Sequence, residues 1–141
     1  MRRFVALALT AATLSGCAYN SAPQPRSPRA AQELDRYLAG RVAGPAQSCL
    51  PTYRSQDMVV IDENTLLFRD GANRVWRTEL RGGCSGLGTP GRALLTRQFG
   101  SSQLCRGEIA QVIDTSSGGF IVGSCSFGDF VPFNGPGVRR R

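Results

Sequence analysis

The stretch Met58–Leu80, MVVIDENTLLFRDGANRVWRTEL, decides the fold. Met58 to Ile61 is apolar and β-branched, Thr65 to Arg69 is a second short run, and Arg74 to Leu80 returns with Val75, Trp76 and Thr78. Glu63-Asn64 separates the first two runs as a tight turn. Asp70-Gly71-Ala72-Asn73 separates the second and third, a stronger hairpin signal because Gly and Asn tolerate positive φ. Three antiparallel strands in 23 residues leave no room for helix here. Downstream, a Gly-rich loop from Gly82 to Gly88 precedes the runs Ala93–Phe99, Glu108–Asp114 and Gly119–Cys125, the last two split by Thr115-Ser116-Ser117-Gly118. Short β runs at this spacing predict a mainly β fold, a small disulfide-stapled sandwich or barrel of about six strands.

Upstream the texture is different. Ser27-Pro28 reads as an N-cap and first helical position. The segment Ala30–Val42 sets Ala31, Leu34, Leu38 and Val42 on one face with Tyr37 beside them, Glu33 and Asp35 early and Arg41 late, and Gly44-Pro45 as the stop. One short N-terminal helix packed on the β domain is expected. Ahead of it, the proline-rich Ala18–Pro28 has the composition of an extended tether.

The chain opens with Met1-Arg2-Arg3, an uncharged Phe4–Leu14, then Leu14-Ser15-Gly16-Cys17. Eleven residues are too few to span a bilayer as a helix. The pattern resembles the lipobox of bacterial lipoproteins, in which the thiol is alkylated by diacylglycerol and cleavage precedes the cysteine. That resemblance implies a signal peptide over 1–16, a lipidated Cys17 with its tether over 17–29, a β domain with its leading helix over 30–134 and a basic tail over 135–141. Ala18, a non-Asp residue after the acylated cysteine, implies by the same resemblance sorting to the outer membrane with the domain on the periplasmic face. The competing reading is a cleaved signal with a coincidental cysteine.

Four cysteines remain: Cys49, Cys84, Cys105 and Cys125. In an exported chain they read as two disulfides, because the periplasm is oxidising. Three pairings are open, and the nested one, Cys84 with Cys105 and Cys49 with Cys125, is the working expectation. No C-x-x-C pair occurs, which speaks against structural zinc and against thiol exchange.

The body also resembles a proteobacterial family of lipoproteins of unknown function. The residues that carry the likeness are Leu38–Gly44, Ser48-Cys49-Leu50, Val60–Phe68, Cys84–Leu87, Gln103–Gly107 and Gly123–Gly128. It extends over Leu38 to Phe133, and the four-cysteine framework is its most specific part. It implies export and disulfides, and no catalytic or binding residue.

The chemistry open to the chain is narrow. All 17 basic residues are arginine, against 10 acids and no histidine, for a formal charge of +7. Without histidine or lysine, Ser-His-Asp, Cys-His and Ser-Lys catalysis, a P-loop and His-ligated zinc are absent from this sequence. Paired carboxylates can still hydrolyse glycosides. The candidates are Asp57, Asp62, Glu63, Asp70, Glu79, Glu108, Asp114 and Asp129, most of them at strand ends or turns where acids are solvated or cap the backbone. Phe127, Phe130 and Phe133 recur every third residue and form either an aromatic docking patch or a plug of the β core, the plug being favoured, and Trp76 reads as core. Arg139-Arg140-Arg141 could touch anionic head groups.

The expectation is therefore a non-enzymatic envelope lipoprotein that binds or scaffolds. It has no cofactor, no metal and no nucleic-acid partner; its partners are the membrane through the lipid and an envelope protein. A periplasmic hydrolase with paired acids and an inhibitor or accessory subunit are the alternatives.

Overall fold

A computed structural model describes residues 25–97 and 102–136. The Leu14–Cys17 motif, the early tether, residues 98–101 and the terminal arginines lie outside the described residues.

The helix α1 covers Pro28–Leu38. Nine strands follow: β1 Val42–Ala43, β2 Cys49–Pro51, β3 Met58–Asp62, β4 Thr65–Asp70, β5 Arg74–Arg81, β6 Arg92–Thr96, β7 Gln103–Cys105, β8 Ile109–Asp114 and β9 Phe120–Asn134. The main sheet is antiparallel and curled into a half-barrel, in the order β3-β4-β5-β9-β8-β6, with β1 added to the far end of β9. A separate ribbon pairs β2 with β7. The mainly β, disulfide-stapled class expected from the sequence is the one observed.

The two hairpins form where the turn chemistry puts them. Asp62 accepts from the Asn64 amide at 2.9 Å and closes the β3–β4 turn. Gly71, at φ 70°, supplies the left-handed residue of the β4–β5 turn, with Asp70 opposite Arg74. The strand β9 runs 15 residues, well past the predicted Cys125, because a bulge lets it continue. Gly128 and Asp129 together oppose the single residue Glu79. Gly128 is needed there, since a Cβ would sit 2.6 Å from the Glu79 carbonyl oxygen. The extra residue also turns both Phe127 and Phe130 to the same side, which is the origin of their three-residue spacing.

Alternation along the strands defines two faces. The inner face carries Leu66, Phe68, Trp76, Leu80, Ala110, Val112, Phe127 and Phe130, closed over by Leu50 and Leu104 of the ribbon and by Cys84 and Leu87 of the Gly-rich loop. Trp76, Phe68, Phe127 and Phe130 are all fully buried, each stabilising by about 1.5–3 kcal/mol. Phe68 and Phe127 flank Phe130 with ring centroids 6.2 and 6.0 Å away. On the outer face a second cluster joins Ile61, Leu67 and Val75 to Ala30 and Leu34 of α1.

Four expectations about the helix are corrected. The helix stops at Leu38 rather than Val42, because Gly40 takes φ 75° and Val42 pairs with Asn134 of β9, leaving its side chain 74% exposed. Glu33 and Asp35 fall beyond the first turn, and Ala30 rather than Ala31 is the buried alanine. Arg41 leaves the helix and pins its end, donating to the carbonyls of Tyr37 (3.0 Å), Gly135 (2.6 Å) and Ala72 (3.1 Å).

The disulfides are not nested as expected. They join Cys49 to Cys105 and Cys84 to Cys125. Cys49 and Cys105 face each other across the β2–β7 ribbon, between the Arg106-to-Ser48 bond at 2.7 Å and the Leu50–Leu104 pair. That is a non-hydrogen-bonded pair, where Cα atoms come closest, here 4.0 Å. The next such pair holds Pro51, which has no amide to offer, so the register suits this sequence. Cys125 lies on the inner face of β9, directly under the Gly-rich loop, and Cys84 in that loop reaches it. The close pass of the loop is marked at Gly123, where a Cβ would come within 2.8 Å of the Ser85 carbonyl oxygen.

Candidate functional site

Seven of the eight candidate acids are held by arginines, hydroxyls or backbone amides. Asp57 meets Arg69 at 2.8 Å, and that contact raises the Arg69 pKa above its ordinary value, through hydrogen bonding first and charge attraction second. Asp70 accepts from the Trp76 indole at 3.3 Å and lies 3.6 and 3.5 Å from Arg54 and Arg74, both of which also approach the Trp76 ring. Asp114 accepts from the Ser116 hydroxyl at 2.6 Å and from the amides of Ser116 and Ser117, with Arg92 3.3 Å away. Its pKa lies below the ordinary carboxylate value, chiefly because of the Ser116 side-chain bond. Asp129 pairs with Arg106 at 3.0 Å, and Glu63 accepts from the Gly86 amide at 2.6 Å, tying the β3–β4 turn to the Gly-rich loop.

Asp62 and Glu79 converge on one arginine. Arg26 donates to Asp62 at 2.6 Å and to the Thr65 hydroxyl, and lies 3.9 Å from Glu79; Thr65, fully buried, donates on to Glu79 at 2.8 Å. This network fixes the residue just ahead of α1 to the end of β4 and β5. The arginine between the two carboxylates ties both into one ion-pair network.

Glu108 differs from the other seven. Its Oε2 is buried with no hydrogen-bond partner among the described residues. It lines an open cleft of about 460 Å³ together with Leu95, Arg97, Ile109, Gln111 and Ile121. The cleft is the uncovered part of the outer face. Helix α1 covers that face over β3, β4 and β5, and it stops there: the half formed by β9, β8 and β6 has nothing packed on it among the described residues. Apolar side chains are open to solvent as a result, with Ile109 66%, Ile121 58% and Leu95 37% exposed. Their register is contiguous, because Leu95 pairs with Gln111, Ile113 with Ile121 and Ile109 with Ser126.

Sequence reasoning named Glu108 but missed the cleft. The available signal was a run apolar at both parities, Phe120-Ile121-Val122, beside Ile109 and Ile113 on the next strand. The aromatic trio does not supply a docking patch: Phe127 and Phe130 are core, and Phe133 turns to the other face, half-buried beneath Arg77 at 5.5 Å. Trp76 is core, as expected. Among the described residues no group of three or more His, Cys, Asp or Glu side chains is placed to hold a metal ion.

A model described as a family of unknown function (DUF6491) matches residues 1–126. The chain belongs to this family. The DUF6491 match takes in all five cysteines and the strands β1 to β8, and ends inside β9, at the residue before Phe127. No curated protein and no solved structure matches the chain.

Proposed function

We propose that this DUF6491 member is a lipid-anchored envelope protein whose β domain binds or scaffolds rather than catalyses. The observation that carries the binding reading is the uncovered apolar half of the outer sheet face, since a contiguous exposed apolar surface on a small domain marks an interaction site. The non-catalytic reading is supported by the acids, seven of which are held by arginines, hydroxyls or backbone amides, and by the lack of histidine and lysine. Anchoring rests on the sequence Leu14-Ser15-Gly16-Cys17 behind a short apolar leader, and Ala18 favours the outer membrane with the domain facing the periplasm. One acyl chain holds a protein only marginally, so a multiply acylated Cys17 is what makes the attachment permanent.

The test is Cys17→Ser in the full chain, followed by membrane fractionation and intact-mass analysis. The wild type is expected in the outer-membrane fraction with a mass increased by acyl groups. The variant is expected to leave that fraction or to retain its leader. Unchanged fractionation of an unacylated product overturns the anchoring reading.

A further inference from the structure

Register relates the open cleft to the position of Arg26. Arg26 is bound on the outer face, at the row where Thr65 of β4 pairs with Glu79 of β5. Two residues along β5, Arg81 pairs with Ser126 of β9, and Ser126 pairs with Ile109 of β8. One residue beyond the Thr96–Ala110 pair, Arg97 stands beside Ile109. Arg26 and the cleft therefore share one face and one end of the sheet. Nine peptide steps separate Cys17 from Arg26, which reach at most about 30 Å when fully extended.

We infer that the uncovered outer face, Leu95, Ile109 and Ile121 flanked by Arg81 and Arg97, docks on the anionic phospholipid surface that carries the anchor. This rests on the anchoring reading given above. A tether entering at that end of that face holds the cleft, rather than the loop-covered inner face, within reach of the bilayer. The chemistry of the face fits an interface: the apolar side chains can enter the headgroup boundary, and Arg81 and Arg97 are both exposed and make no ion pair among the described residues. Adjacent strands lie about 4.8 Å apart, so the row Arg81, Ser126, Ile109, Arg97 spreads two positive charges on either side of an exposed isoleucine. Glu108 is the one acid lining the cleft, and its buried Oε2 points away from solvent contact. A second copy of the chain or an envelope protein could also cover apolar surface, but neither accounts for the shared end with Arg26.

The experiment uses the full-length protein, purified with its anchor and reconstituted in vesicles that contain a photoactivatable phospholipid. Intact mass first reports acylation of Cys17. Crosslinks are then mapped in vesicles of phosphatidylglycerol with phosphatidylethanolamine, and in phosphatidylcholine alone. The expected result is an acylated protein crosslinked to lipid within 93–97, 109–113 and 120–124, and not within α1. Arg81→Gln and Arg97→Gln should each lower that yield about fivefold in anionic vesicles, as loss of one arginine near a charged surface predicts. Ile109→Ser with Ile121→Ser, both exposed positions that leave the core intact, should abolish it. An unacylated Cys17 fails the anchoring reading and takes the inference with it. An acylated protein whose crosslinks are spread evenly overturns the docking inference alone. Protein-to-protein crosslinks at the same segments, growing with the protein-to-lipid ratio, overturn it in favour of a second copy.

Discussion

Removing one disulfide at a time should separate the two bridges by where they lie, not by the loops they close. Cys49–Cys105 spans 56 residues and Cys84–Cys125 spans 41. In the chain-entropy account each stabilises by about 4 kcal/mol, and the difference between them is only a few tenths. Burial is what distinguishes them. Cys84 is fully buried and Cys125 nearly so, both inside the inner core, whereas Cys49 and Cys105 are half-exposed on the small ribbon. Replacing Cys84 and Cys125 by alanine also withdraws two packed sulfurs, at about 1 kcal/mol each. The double variant C84A/C125A should therefore lose about 6 kcal/mol and C49A/C105A about 4. For a small domain the first loss approaches the whole of the stability. Urea unfolding of both under oxidising conditions gives the comparison. A non-reduced tryptic map gives the connectivity directly, because arginines at 54, 81, 92, 97 and 106 put the four cysteines in four different peptides. A C49A/C105A protein less stable than C84A/C125A would refute the burial argument, and a Cys84–Cys105 crosslinked peptide would refute the pairing.

Three further outcomes follow from the packing. Gly128→Ala, with its Cβ forced to 2.6 Å from a backbone oxygen, should cost about 1–3 kcal/mol and lower the melting temperature accordingly; an unchanged melt would mean that the β5–β9 bulge is not as close as described. Thr65→Val removes a buried hydroxyl that bonds both Arg26 and Glu79, and should cost about 1–3 kcal/mol by the same assay, with faster amide exchange at the start of α1. Asp114 has a folded pKa below its unfolded one, so its contribution is present above the unfolded value near pH 4 and is lost as pH falls through the folded value. A carboxyl NMR titration should show that low midpoint, and Ser116→Ala should move it up toward the ordinary value.

The local structure was legible where turn chemistry and apolar runs coincide. The two hairpins from Met58 to Leu80, the capped start of α1 at Ser27-Pro28 and the burial of Trp76 all follow from short-range physics. What was not legible depends on partners distant in sequence. The three-residue strands β2 and β7 are too short to carry a periodic signal, and only their mutual pairing makes them strands. The Cys pairing depends on that same ribbon, so it could not be ranked without it. Val42 fits a helical stripe by spacing alone, and leaves it because β9 offers a ladder partner. The open cleft was hidden for a related reason: an apolar strand that is uncovered on one face has the same sequence texture as one covered on both.

The arginine bias takes on a physical sense from these contacts. As a bulk number, +7 invites either an anionic partner or nothing more than solubility. Within the fold, most of the charge is already committed. Arg26, Arg54, Arg69, Arg74, Arg77, Arg92 and Arg106 each meet an acid, and Arg41 is held by three carbonyls. Such partly exposed pairs contribute little stability singly. They are better understood as register devices, since a planar guanidinium can bond two or three fixed acceptors at once where an ammonium acts as a point charge. Arg26 joining β3, β4 and β5 is one case, and Arg41 joining α1, the β4–β5 turn and the end of β9 is another. Once these are set aside, four described arginines remain: Arg29 and Arg36 on α1, and Arg81 and Arg97 on the outer sheet face, on either side of Ile109. It is on this local surplus beside exposed apolar side chains, rather than on the net charge of the chain, that the proposed docking on an anionic surface rests.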